Sequence, residues 1–110
     1  MSSDHRPPRR FYGRRHGRRL RAGREHLLQE LLPKLQIELP EGFLSLPDLF
    51  PADRAAYWLE IGFGGGEQLS VQAKAHPSVG FIGCEPFING VARLLTDIDQ
   101  EDLSNIRLFT

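Results

Sequence analysis

Leu59-Glu60-Ile61-Gly62-Phe63-Gly64-Gly65-Gly66-Glu67 is the stretch that decides the fold of this 110-residue chain. An apolar alternation runs into four glycines within five residues, and the acid Glu67 comes directly after them. A strand that ends in such a run and leaves as a helix is the first turn of a βα unit. There, backbone N–H groups and a helix N-terminus are brought up to a ligand. Glycine is needed for the tight backbone angles and because a Cβ would stand where the ligand must approach.

Working outward, Tyr57-Trp58-Leu59-Glu60-Ile61 alternates as a strand. Residues 67–75 form a helix with Leu69 and Ala73 facing inward, closed by His76-Pro77. Val79-Gly80-Phe81-Ile82-Gly83-Cys84 reads as a second, buried strand. Ile88, Val91, Leu94, Leu95 and Ile98 follow the 3.6-residue period of a second helix, with Asp97, Asp99 and Gln100 outside that stripe. Asn105-Ile106-Arg107-Leu108-Phe109 begins a third strand. The β-α-β-α-β order predicts an α/β fold with a parallel sheet and right-handed crossovers. Such a piece leaves the first strand with an uncovered edge and exposed apolar faces. A unit of roughly 60 residues is also marginally stable.

The chain divides into three parts. Residues 1–24 hold nine arginines against Asp4 alone, a net of +8, whereas residues 25–110 hold five basic and thirteen acidic residues, a net of −8. The first segment reads as a flexible basic arm: it has like charge throughout, few apolar residues, and Pro7-Pro8 with three glycines. An arm of this kind on an acidic body points to a polyanion partner. In residues 25–55, Leu27, Leu28, Leu31 and Leu32 predict a short core-facing helix that Pro33 ends or kinks. The rest of that segment is an ordered connection with Leu46, Leu49 and Phe50 as apolar anchors. Residues 56–110 are the α/β part.

Several function classes fall away. No apolar run approaches the ~20 residues that span a bilayer, and the arginine-rich start has neither a secretory core nor the serine content of a transit segment. The single cysteine, Cys84, lies in an apolar strand, reads as a core thiol, and fits a reducing, cytoplasmic setting. His5, His16, His26 and His76 lack ligand spacing, so no metal is expected. The dinucleotide pattern G-x-G-x-x-G, counted from Gly62 and Gly64, requires a third glycine where Glu67 stands. That counts against a nicotinamide-dependent oxidoreductase but leaves other registers open. The pattern acid-x-G-x-G-x-G is met in full by Glu60, Gly62, Gly64 and Gly66, and suits a cofactor with an amino-acid tail whose ammonium needs a carboxylate. Glu85 stands at the tip of the second strand, nineteen residues after Gly66. A carboxylate there can take both ribose hydroxyls of a nucleoside. Glu67 reads as dipole compensation at a helix start.

Phe11-Tyr12-Gly13-Arg14-Arg15, the phrase from Leu59 to Gly64, and Gly83-Cys84-Glu85-Pro86-Phe87 with Gly90-Val91 closely resemble the bacterial tRNA (guanine-N7)-methyltransferase family. The resemblance spans roughly residues 9–110. It implies a Rossmann-like class I methyltransferase fold, here the first β-α-β-α-β part behind a basic N-terminal arm. It implies S-adenosylmethionine as cofactor, held by Glu60, Gly62, Gly64, Glu85 and the backbone at Phe87. It implies tRNA as partner, with methyl transfer to N7 of the variable-loop guanine, position 46. Arg9, Arg10, Arg14, Arg15, Arg18 and Arg19 would then bind the tRNA backbone by neutralising phosphates, beside the stacking faces of Phe11, Tyr12 and His16. The family's chain continues with a further acidic contact, a catalytic aspartate and a guanine-binding segment. The catalytic residues are therefore expected beyond Thr110, and this chain alone is expected to be inactive. A non-catalytic tRNA- or cofactor-binding module is the remaining alternative.

Overall fold

The structure, a computed structural model, describes residues 22–110. Residues 1–21 of the arginine arm, including Arg9, Arg10, Arg14, Arg15, Arg18 and Arg19, lie outside the described residues. The elements run α1 (Ala22–Glu30), α2 (Leu32–Leu35), a 3₁₀ turn (Leu46–Leu49), β1 (Ala56–Ile61), α3 (Glu67–Ala75), β2 (Val79–Cys84), α4 (Ile88–Glu101) and β3 (Ile106–Phe109). The first helix begins at Ala22, inside the stretch read as arm. It breaks at Leu31, just before Pro33, which has no N–H to continue the helical ladder. The connection expected to be irregular contains α2 and the 3₁₀ turn, each with a proline in its first turn, where the missing N–H costs nothing.

The three strands form one parallel sheet in the order β1-β2-β3. Ala56 pairs with Val79 through to Ile61 with Cys84, and Phe81 with Ile106 through to Cys84 with Phe109. The partial Rossmann-like α/β arrangement expected from the sequence is thus present. Side chains alternate across β2, so Val79 and Phe81 face the helices, whereas Ile82 faces the connection.

On the helical side, Val91, Leu94, Leu95 and Ile98 of α4 and Leu69 and Ala73 of α3 close over Phe81, Ile106 and Leu108. The leucines of α1 pack on the rim. All of these α3, α4 and strand side chains are buried, which is what the 3.6-residue stripe of α4 predicts. On the opposite side, Phe50 and Ile37 seal Ile82, with Leu46, Leu49 and Tyr57 around them.

The two glycines of β2 shape both layers. A β-carbon at Gly80 would stand 2.7 Å from the Phe50 ring, and one at Gly83 would stand 2.8 Å from both Leu69 and Phe63. Each glycine is the floor of a seat for an aromatic ring. Two guanidinium groups also stand by the Phe50 ring, Arg54 at 5.5 Å and Arg107 at 5.1 Å from its centre. Burial, and then the neighbouring Arg54 charge, lowers the pKa of Arg107. Its Nε donates to the Leu49 carbonyl at 2.6 Å, which ties the 3₁₀ turn to β3. Cys84 is half-buried rather than fully enclosed, and burial raises its thiol pKa.

The two sheet edges differ. Residues 36 and 37 shield β3: Gln36 bridges Leu108, and the Ile37 N–H donates to the Leu108 carbonyl at 2.7 Å. Among the described residues no strand pairs with the outer edge of β1. Trp58, Leu59 and Ile61 there are 48%, 62% and 76% exposed.

At the opposite end of the strands from the glycine turn, the buried Asn105 side chain holds the α3–β2 turn together. Its amide nitrogen lies 3.0 Å from the Ala73 carbonyl, 3.1 Å from that of His76 and 3.0 Å from that of Val79. Removing it strands carbonyls in a dry environment, at ~1–3 kcal/mol for each group left unpaired. Asn105→Ala is therefore expected to lower stability by about 2–3 kcal/mol, seen as a lower urea midpoint with an unchanged slope.

Candidate functional site

The candidate site lies at the carboxyl ends of the three strands, where the ladder finishes and the loops begin. The Gly62 N–H continues the β1–β2 ladder by donating to the Cys84 carbonyl at 2.7 Å. The Glu85 N–H continues the β2–β3 ladder onto the Phe109 carbonyl at 3.1 Å. After Gly62 the chain turns sharply. Gly62, Gly64 and Gly66 all have positive φ, at 75°, 63° and 78°, which a residue with a Cβ adopts only under strain. Phe63 is buried between them and plugs the turn into the core beside Gly83. Gly66 serves as the N-cap of α3, and its carbonyl accepts from the Ser70 N–H at 2.9 Å.

Glu85 is the centre of this arrangement. One carboxylate oxygen accepts from the Gly64 N–H at 2.8 Å and the other from the Phe87 N–H at 3.1 Å. A single side chain thereby joins the turn after β1 to the turn after β2, across 21 residues of sequence. Phe87 is the N-cap of α4, and its carbonyl accepts from the Gly90 and Val91 N–H groups. Glu60 is half-buried at the end of β1, in register with Gly83. It lies on the same side of the strand as Trp58, which packs edge-on against Phe81 at 5.3 Å.

The five cofactor residues expected from the sequence all sit at this one end of the sheet. The structure joins Gly64, Glu85 and Phe87 directly by hydrogen bonds. It also shows that the N–H groups of Gly62, Gly64, Gly66 and Phe87 already have partners within the chain. What the turn leaves open is space. A β-carbon added at Gly62 or Gly64 meets nothing within 4 Å. Glu67 is exposed in the first turn of α3, as a charge opposing the helix dipole would be, and lies 3.5 Å from the Arg93 guanidinium.

Sequence reading missed the support beneath the turn. Phe63, Ser70, Gly90, Arg93 and Asp97 all act there; Phe63 and Gly90 entered the sequence reading only within the motifs of the resemblance, and the four-residue Arg93–Asp97 spacing was the local signal for the other pair. Among the described residues, no three His, Cys, Asp or Glu side chains gather as a metal site needs. No described helix is long and apolar enough to cross a membrane.

Comparison with known proteins places this geometry. A family model described as "Putative methyltransferase" matches residues 54–110, the whole α/β part. A protein of Rhodopseudomonas palustris strain BisB18 is 50% identical over 104 residues, covering 94% of this chain and 41% of its own length. One of Rhodospirillum rubrum is 52% identical over 104 residues, covering 91% of this chain and 41% of its own. One of Brucella anthropi is 48% identical over 100 residues, covering 90% and 43%. Each of these three is named tRNA (guanine-N(7)-)-methyltransferase. The chain spans about two fifths of the length of the curated relatives it matches. With its glycine turn, strand-end acids and parallel sheet inside the matched segment, the chain belongs to the family whose model is described as putative methyltransferase.

Proposed function

We propose that this chain is the cofactor-binding part of a tRNA (guanine-N7)-methyltransferase. In this reading residues 56–110 hold S-adenosylmethionine, residues 25–55 brace that unit, and residues 1–24 are a basic arm for tRNA. The observation that carries it is the Glu85 carboxylate, set at the mouth of the glycine turn and hydrogen-bonded to both flanking loops. A carboxylate offers about four acceptor directions, so each oxygen keeps one for a ribose hydroxyl after accepting its N–H.

The residues present fit the cofactor. The empty space over Gly62 and Gly64 is a cradle that a side chain would fill. Glu60, at the neighbouring strand end, supplies the carboxylate that an amino-acid ammonium needs. Phe87 stands beside Glu85, its own N–H held by that carboxylate. When bound, S-adenosylmethionine would supply an electrophilic methyl carbon on a cationic sulfonium for the lone pair of guanine N7, with S-adenosylhomocysteine as the leaving group. N7 has that lone pair free, so no base is asked of this chain. Its residues contribute position and charge.

The tRNA substrate is supported by the names of the relatives and by the concentration of arginine at the N-terminus. A cytoplasmic setting fits the lone Cys84.

Two measurements test this reading. Glu85→Ala is expected to weaken S-adenosylhomocysteine binding by about 10- to 100-fold in calorimetry, since a hydrogen bond to a charged group contributes ~1.5–3 kcal/mol. An unchanged affinity would reduce Glu85 to a tie between loops, and uptake of NAD instead would favour the oxidoreductase reading. Replacing Arg9, Arg10, Arg14, Arg15, Arg18 and Arg19 with glutamine is expected to weaken tRNA binding. It should also flatten the plot of log affinity against log salt by about 4–5, if each arginine displaces ~0.7–0.9 counterions. A slope that does not move would show that the arm is not the tRNA contact.

A further inference from the structure

One face of α4 carries the glycine turn residue by residue. Gly90, Arg93, Leu94 and Asp97 recur at the spacing of a single helical stripe. A β-carbon at Gly90 would collide with the Gly64 carbonyl oxygen, so helix and turn meet backbone to backbone. One at Gly65 would stand 3.0 Å from the Arg93 Cδ, and one at Gly66 2.8 Å from Leu94. The only polar member of this seat that touches the turn is Arg93. Its Nη1 donates to the Gly65 carbonyl at 3.1 Å and to the Asp97 Oδ2 at 2.8 Å, while its Nε lies 3.5 Å from Glu67. The same Asp97 oxygen accepts from the Ser70 hydroxyl at 2.9 Å, which locks the guanidinium to α3 as well.

We propose that Arg93, held by Asp97, is the positioning residue that sets the glycine turn for cofactor binding. The inference rests on the cofactor reading above and adds a residue to it. Glycines reach these positive φ values without strain but are equally free to leave them, and Gly65 has no side chain to anchor it, so a donor from outside the turn is what holds its carbonyl. A guanidinium suits this because its planar fork can reach a carbonyl and a carboxylate at once. The groove of about 340 Å³ between α3 and α4 that contains Arg93 and Asp97 is not itself a ligand site. Its charges pair with one another, Lys74 with Glu101 at 2.6 Å and Arg93 with Asp97. With Gly65 fixed, the neighbouring Gly64 N–H points at Glu85, and the Glu85 carboxylate is held ready for the ribose.

The test compares Arg93→Met, Arg93→Lys and Asp97→Asn with Lys74→Met, which breaks the other ion pair of the same groove without touching the turn. Calorimetry with S-adenosylhomocysteine and amide exchange at Gly64 and Gly66 are read on the 110-residue chain. Arg93→Met should weaken binding at least tenfold and speed exchange at both glycines, with Arg93→Lys and Asp97→Asn between it and the parent. Lys74→Met should stay within twofold on both readouts. Binding within twofold and unchanged exchange in Arg93→Met would overturn the proposal, as would an equal loss in Lys74→Met. If the parent chain takes up no S-adenosylhomocysteine, the cofactor reading fails by itself. The exchange rates in Arg93→Met then decide the positioning role, faster exchange upholding it and unchanged exchange overturning it.

Discussion

At Gly90 the fourth helix comes so near the turn after β1 that no side chain fits between them. That contact fixes the distance between the two βα units, and the geometry of the site depends on it. The turn must be glycine-rich because it is pressed on one side by α4 and curled by positive φ values at Gly62, Gly64 and Gly66. Glu85 can span from the end of β2 to the Gly64 N–H only because the two loops are held this close. Phe63 then has one place to go, down into the core against Gly83. Small residues on α4 and β2 thus decide where the polar groups of the site stand.

The regular elements were legible because each has its own period. The alternation of 57–61, the buried run of 79–84 and the 3.6-residue stripe from Ile88 to Ile98 coincide with β1, β2 and α4 to within a few residues. What stayed hidden depends on contacts between distant parts of the chain. Gly80 and Gly83 look like weak points of a strand, yet they are the seats of Phe50 and Phe63. Asn105 looks like a strand-start residue, yet it bonds three carbonyls up to 32 positions away. The 3₁₀ turn at Leu46–Leu49 likewise packs Leu46 and Leu49 against the layer of Ile37, Phe50 and Ile82.

The candidate site shows the same division. Glu60, Gly62, Gly64 and Glu85 stood out because the glycine pattern and the two strand-end acids can be read from spacing alone, and they gather at one end of the sheet. Asp97 did not, because an acid outside the apolar stripe of a helix reads as a solvated charge. The second helix beside it makes the difference: Ser70 and Arg93 converge on its carboxylate from two elements. The expected contribution of the backbone also changed. N–H groups read as free for a ligand are already bonded, and the turn offers an open cradle flanked by a carboxylate.

The unpaired edge of β1 gives Glu60 a second significance. In Ala56-Tyr57-Trp58-Leu59-Glu60-Ile61 it is the only charge, set among apolar side chains that lie largely open to water. Six-residue apolar segments of high β-propensity at a free edge are the templates on which chains stack into fibrils, and a single charge within them acts as a gatekeeper. Among the described residues, the carboxylate proposed to meet the cofactor's amino-acid tail is thus also the one charge set along this open edge, where a charge disfavours edge-to-edge pairing.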